Sequence, residues 1–171
     1  MTRSSARAFY DTVIFLLSLN QGDRDHEACL ALVDVDSAAV TWAILISAIT
    51  RAEASLHEYL DQLEQRCALQ GVEWVEVTQQ EIAVEMKQRR QLKAELDRAG
   101  MQTHDIKQVF AAVAGRAELL VTRDRDFLDP KDKARRGKKA RGSAVSKQLQ
   151  AELGLAVLFP GEARAQLIGR A

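Results

Sequence analysis

The chain has 171 residues, 47% of them hydrophobic and 28% charged, the size of one globular domain able to bury a core. Its 24 basic and 24 acidic residues cancel, so no global field marks it as a nucleic-acid binder. The charge is uneven, however: positions 131–141 hold seven Lys or Arg against Asp132 alone, leaving 17 basic and 23 acidic residues elsewhere, net −6.

In chain order, Arg7 to Tyr10 reads as a short strand ending at Asp11, and Val13 to Leu19 as a helix that Gly22 stops. His26 to Ala39 reads as a second helix, and Val40 to Ile46, apolar and β-branched, as a buried parallel strand. Ile49, Ala52, Leu56, Tyr59, Leu60, Leu63 and Cys67 then recur at helical spacing, which predicts one long amphipathic helix with Glu53 at the margin of its apolar face. Gly71 to Val77 suggests a strand. Thr78-Gln-Gln-Glu81 is a capping box, in which the Thr hydroxyl accepts from the third amide and Glu81 reaches back. The helix it starts is expected to run through Met86 to Arg98 and to end at Gly100. A further helix carries Ile106, Val109, Phe110 and Val113, with Asp105 in its first turn. Glu118 to Thr122 reads as a buried strand that releases into Asp124 and Asp126. After the basic stretch, Ala144 to Leu153 is expected to be helical and Leu155 to Phe159 a last strand, stopped by Pro160-Gly161.

Strands alternating with helices imply a mostly parallel sheet of about five strands covered on both faces, in one domain spanning 1–171 with a basic arm at 131–141. Ligands of such sheets bind outside the carboxyl ends of the strands, where Asp11 and the Asp124/Asp126 pair fall. Cys29 and Cys67 lie far apart in helical segments, which argues against a disulfide framework or a zinc site and fits a reducing cytosol. The longest mostly apolar run, Ala38 to Ile49, is shorter than the roughly 20 residues of a membrane span. Asp11 interrupts any secretory core behind the N-terminus. The expectation is a cytoplasmic protein.

Each acid alone has an ordinary explanation. Asp11 is a natural helix cap, Glu53 a solvated acid paired with His57, Asp105 a first-turn residue favoured by the helix dipole, and Asp124 and Asp126 loop residues. His104 is either exposed or near a phosphate, and Trp42 and Trp74 read as core. Asp34-Val-Asp36 mimics a phosphatase nucleophile strand but lacks its continuation. Together, though, the acids at element ends suggest a site for Mg²⁺ or Mn²⁺, because converging carboxylates repel and oxygen-only ligation suits those cations.

Phe9-Tyr-Asp11-Thr-Val-Ile, Ile46-Ser-Ala-Ile-Thr-Arg-Ala-Glu53, His104-Asp105 opening an Ala-rich helix, and Leu120-Val-Thr-Arg-Asp124-Arg-Asp126-Phe127 resemble, in order, the four acidic phrases of PIN-domain nucleases. Size and layout are similar to the VapC-type toxins of bacterial toxin-antitoxin pairs. The resemblance implies a PIN-like three-layer α/β/α fold and an Mg²⁺- or Mn²⁺-dependent endoribonuclease that hydrolyses RNA phosphodiester bonds by in-line attack of water. It further implies that Asp11, Glu53, Asp105 and Asp124 are the metal-binding and catalytic acids, with Asp126 as reserve and Thr12 and Thr122 as supporting hydroxyls. Implied partners are an RNA substrate, a cognate antitoxin and a second copy of the chain. Lys131, Lys133, Arg135, Arg136, Lys138, Lys139 and Arg141 would track the RNA backbone. Val13, often Asn or Ser in the family, and Ile106-Lys107-Gln108, usually small and apolar, depart from the pattern. They motivate the alternative of a catalytically silent PIN-like module that binds RNA or a protein.

Overall fold

The computed structural model describes residues 5–128 and 142–169. Five strands form one sheet in the order β3-β2-β1-β4-β5, with every neighbouring pair parallel. The strands are β1 (Arg7–Tyr10), β2 (Ala43–Ser47), β3 (Trp74–Val77), β4 (Leu119–Val121) and β5 (Ala156–Leu158). Side chains alternate across the pleat. Ala8, Tyr10, Ile44, Ile46, Leu119 and Val121 pack on one face against α1 (Thr12–Ser18), α2 (His26–Val33) and α4 (His57–Gln70). Phe9, Leu45, Leu120 and Val157 pack on the other face against α5 (Gln79–Gln88), α6 (Arg90–Arg98), α7 (Thr103–Ala114) and α8 (Ala144–Leu153). The expected α/β/α layering with a parallel five-stranded sheet is therefore what forms. Burial on both faces accounts for the apolar runs of β2 and β4, the two strands that flank β1.

Three local expectations are corrected. The helix expected from His26 to Ala39 closes at Val33, followed by a 3₁₀ turn over Val35–Ser37 and by Ala38 at φ 56°. The long helix expected after β2 is broken: α3 spans only Ala48–Arg51, Glu53 is extended, a 3₁₀ turn covers Ala54–Leu56, and α4 begins at His57. The break goes with an ion cluster, in which the guanidinium of Arg51 meets Asp61 at 2.8 Å, Glu64 at 2.6 Å and Glu76 at 2.9 Å. In a straight helix Arg51 and Glu64 would be about 20 Å apart along the axis, far beyond a side chain's reach.

The helix expected through to Arg98 is likewise two, α5 and α6, with a break at Arg89 (φ −114°, ψ 46°). Ile82 belongs to the same core cluster as Leu92 and Leu96, and Met86 packs against it. The six-residue step from Met86 to Leu92 puts them about 120° apart on a regular helix. A bend brings both inward, and it needs neither Pro nor Gly. The last strand stops ahead of Pro160-Gly161 as expected, and Pro160 has a second role. It opens α9 (Pro160–Leu167) from the first helical position, where its missing N–H costs nothing. The capping box at Thr78 and Glu81 forms as expected, with Glu81 N donating to Thr78 Oγ1 at 3.2 Å and Thr78 N to Glu81 at 2.8 Å.

Candidate metal centre

Strand order reverses at β1, because β2 and β3 extend the sheet on one side and β4 and β5 on the other. In open α/β sheets ligands bind at such a reversal point, outside the carboxyl ends of the strands. Tyr10 pairs with Val121 at the end of both strands, so the next residues, Asp11 and Thr122, emerge side by side. Asp11 N donates to Val121 O at 3.0 Å, and Thr122 Oγ1 donates to Asp11 Oδ2 at 2.7 Å. Asp11 occupies the N-cap position of α1, yet its carboxylate caps no amide there. It turns instead toward Thr122 and toward Gln108, whose Nε2 donates to Asp11 Oδ1 at 3.1 Å.

Asp105, in the first turn of α7, is buried to 4% exposure. It forms a group with Asp124 and Asp126 in which one oxygen from each carboxylate lies within 4.8 Å of the others. At that separation and an effective dielectric of about 20, each ionised pair repels by about 3 kcal/mol. The consequence is visible in Asp105, whose carboxyl is pushed from 3.8 up to about 8 by burial first, then by its contact with Asp124, then by Asp126 and the charge of Asp11. Asp11 is also raised, by burial above all. Its bond from Thr122 and the nearby His104 oppose the rise, and the charge of Asp124 adds to it. Asp11 thus shares the field of the three-acid group.

Local structure fixes the fourth phrase. Thr122 Oγ1 accepts from Asp124 N at 3.0 Å, and Asp124 Oδ1 accepts from Asp126 N at 2.8 Å, capping a 3₁₀ turn over Arg125–Phe127. Asp126 Oδ2 accepts from Gln102 N at 3.1 Å and so ties this loop to the start of α7. Arg123 clasps both oxygens of Asp23 at 2.7 Å, holding the loop to the α1–α2 connection. Asp124 and Asp126, expected as choice and reserve, are therefore brought together with Asp105.

Glu53 stands apart from that group. Its side chain is exposed and accepts from Ser55 Oγ at 3.0 Å. Nor does it pair with His57, which instead faces Asp61 at 3.7 Å. His104 is exposed. Thr122 is fully buried between Asp11 and Asp124, while Thr12 Oγ1 shares a 2.7 Å hydrogen bond with Thr50 Oγ1. Trp42 is buried, its Nε1 donating to the Tyr10 hydroxyl at 2.8 Å, and Trp74 is half-buried in β3 beneath the Arg51 guanidinium. The basic stretch, Lys131 to Arg141, lies outside the described residues. No described helix is long and apolar enough to cross a membrane.

Gln108, which the sequence marks only as part of a departure from the family pattern, is a residue of the site. A polar side chain three residues after Asp105 shares its helix face, and this was the available signal.

An all-oxygen set of carboxylates, one of them buried and pushed upward by burial and its acidic neighbours, fits a hard divalent cation. No protein-family model matches the chain, and no curated protein does. Among solved structures, the crystal structure of VapBC2 from Rickettsia felis bound to a DNA fragment from their promoter is similar at a TM-score of 0.48 and 15% identity, covering 90% of this chain and 98% of that chain.

Proposed function

We propose that the protein is a metal-dependent ribonuclease in which Asp11, Asp105 and Asp124 bind Mg²⁺ or Mn²⁺. Asp126 backs the set, and Glu53 serves from the rim, through water. The observation that carries this reading is the convergence of Asp105, Asp124 and Asp126 within 4.8 Å, in the field of Asp11, at the point where strand order reverses. The four-phrase sequence resemblance supplies the substrate class, and with it a cognate antitoxin and a homodimer as partners.

In this reading the bound cation makes a water more acidic and stabilises charge at the phosphate. The chain's own residues prepare the place for it. Thr122 and Gln108 hold the Asp11 carboxylate from two sides, Asp105 gives up its proton to bind, and Asp126 keeps the β4 loop against α7. The seven cations of the basic stretch add sequence-independent attraction for the RNA backbone.

The test is Asp11→Asn. Mn²⁺-dependent cleavage of RNA is expected to fall by at least about a hundredfold while the circular-dichroism spectrum stays that of the parent. Undiminished cleavage would refute the assignment. A parent that binds RNA in a salt-dependent manner, yet neither binds Mn²⁺ nor cleaves, would establish the silent module instead.

A further inference from the structure

Gln108 lies in α7, one turn beyond Asp105, and is 1% exposed. Its Nε2 donates to Asp11 Oδ1 at 3.1 Å and to Thr12 Oγ1 at 3.2 Å, with Thr50 Oγ1 at 3.5 Å. Of the two ends of the amide only the nitrogen donates, and it is the nitrogen that faces Asp11. Oε1 is consequently left buried, with no hydrogen-bond partner among the described residues. An unsatisfied buried carbonyl carries a desolvation cost that a helix facing a core avoids with an apolar residue. Its retention points to work done at the other end of the amide.

That work is visible in what the nitrogen joins. Thr12 follows Asp11 at the head of α1. Thr50 lies in α3, itself capped by Ser47, whose Oγ accepts from Thr50 N at 3.2 Å. Gln108 therefore links three of the four acidic phrases, and Thr122 supplies the fourth. With Gln108 on Oδ1 and Thr122 on Oδ2, both oxygens of Asp11 are held and the carboxylate cannot turn to cap its own helix.

We propose that Gln108 is a positioning residue for Asp11, fixing through its amide nitrogen the orientation in which that carboxylate receives the cation. This rests on the metal-centre reading above. The test measures Mn²⁺ affinity by titrating free Mn²⁺ with electron paramagnetic resonance, alongside thermal melting without metal, for the parent and Gln108→Met. The variant keeps the length of the side chain and removes both the donor and the stranded carbonyl. We expect Mn²⁺ binding ten- to a hundredfold weaker, with a metal-free melting temperature equal to or above the parent's. Unchanged affinity would overturn the proposal, and so would weaker affinity accompanied by a markedly lower metal-free melting temperature, the mark of a purely structural amide. Should the variant not fold, Thr12→Val removes the amide's second acceptor. A several-fold loss of Mn²⁺ affinity then supports the assignment, and none refutes it. A parent that binds no Mn²⁺ defeats the metal reading and this proposal together, whereas a binding parent with an equally binding variant defeats the proposal alone.

Discussion

Asp105 sits under burial and three acidic neighbours at once. In the unfolded chain its carboxyl titrates near 3.8, and in the folded metal-free protein near 8. The folded state therefore keeps a proton that the unfolded state has already lost. For a carboxyl shifted in this direction, the stabilising contribution is complete below about pH 4 and is lost as pH rises through 8. Metal-free protein is thus expected to melt at progressively lower temperature between pH 5 and 8, and Asp105→Asn to flatten that decline while removing Mn²⁺ binding. Calorimetry of both proteins across the range checks it, and a parent whose stability is flat with pH would contradict the shift. The acids themselves were legible in the sequence, because each stands where an apolar segment ends. Gln108 was legible only as part of the Ile106-Lys107-Gln108 departure, since a polar residue beside Lys107 reads as solvated until its partners are known. Glu53 was misplaced for a different reason: its position depended on a helix that does not continue.

At the scale of elements, hydrophobic period located every strand and most helices, but it says nothing of long-range ion pairs. Arg51, at the break in one expected helix, meets partners 10, 13 and 25 residues away, which no local window contains. The C-terminus of α7 shows a related effect. A Cβ on Gly115 would lie 2.6 Å from Leu45 Cδ2 and 3.0 Å from Val77 Cγ2, side chains locked in the core. Glycine is needed there for close approach, and the left-handed residue that follows the helix is Arg116, at φ 55°. Gly115→Ala is expected to destabilise by about 1–3 kcal/mol through overpacking. Arg116→Gly should gain about 1 kcal/mol by relieving the left-handed conformation. Urea unfolding of the two variants measures both, and the opposite ranking would contradict this account.

For the whole molecule, neutral net charge conceals two opposed regions: an acidic body and the cationic stretch from Lys131 to Arg141. If that stretch meets RNA phosphates, its seven cations govern how affinity responds to salt. Replacing all seven with Gln is expected to reduce the slope of log affinity against log salt by up to about 5 for single-stranded RNA, leaving Mn²⁺ affinity unchanged. An unaltered slope would remove the stretch from the interface. Overall architecture was readable because alternation of strand and helix leaves few ways to cover a parallel sheet.

The ladder between β1 and β4 has one more consequence. Since Asp11 and Thr122 directly follow paired residues, their separation is inherited from the inter-strand spacing of about 4.8 Å rather than set by any connecting segment. The sheet itself thus sets where the first acid and its hydroxyl partner stand, whatever the length of the segments that join the strands.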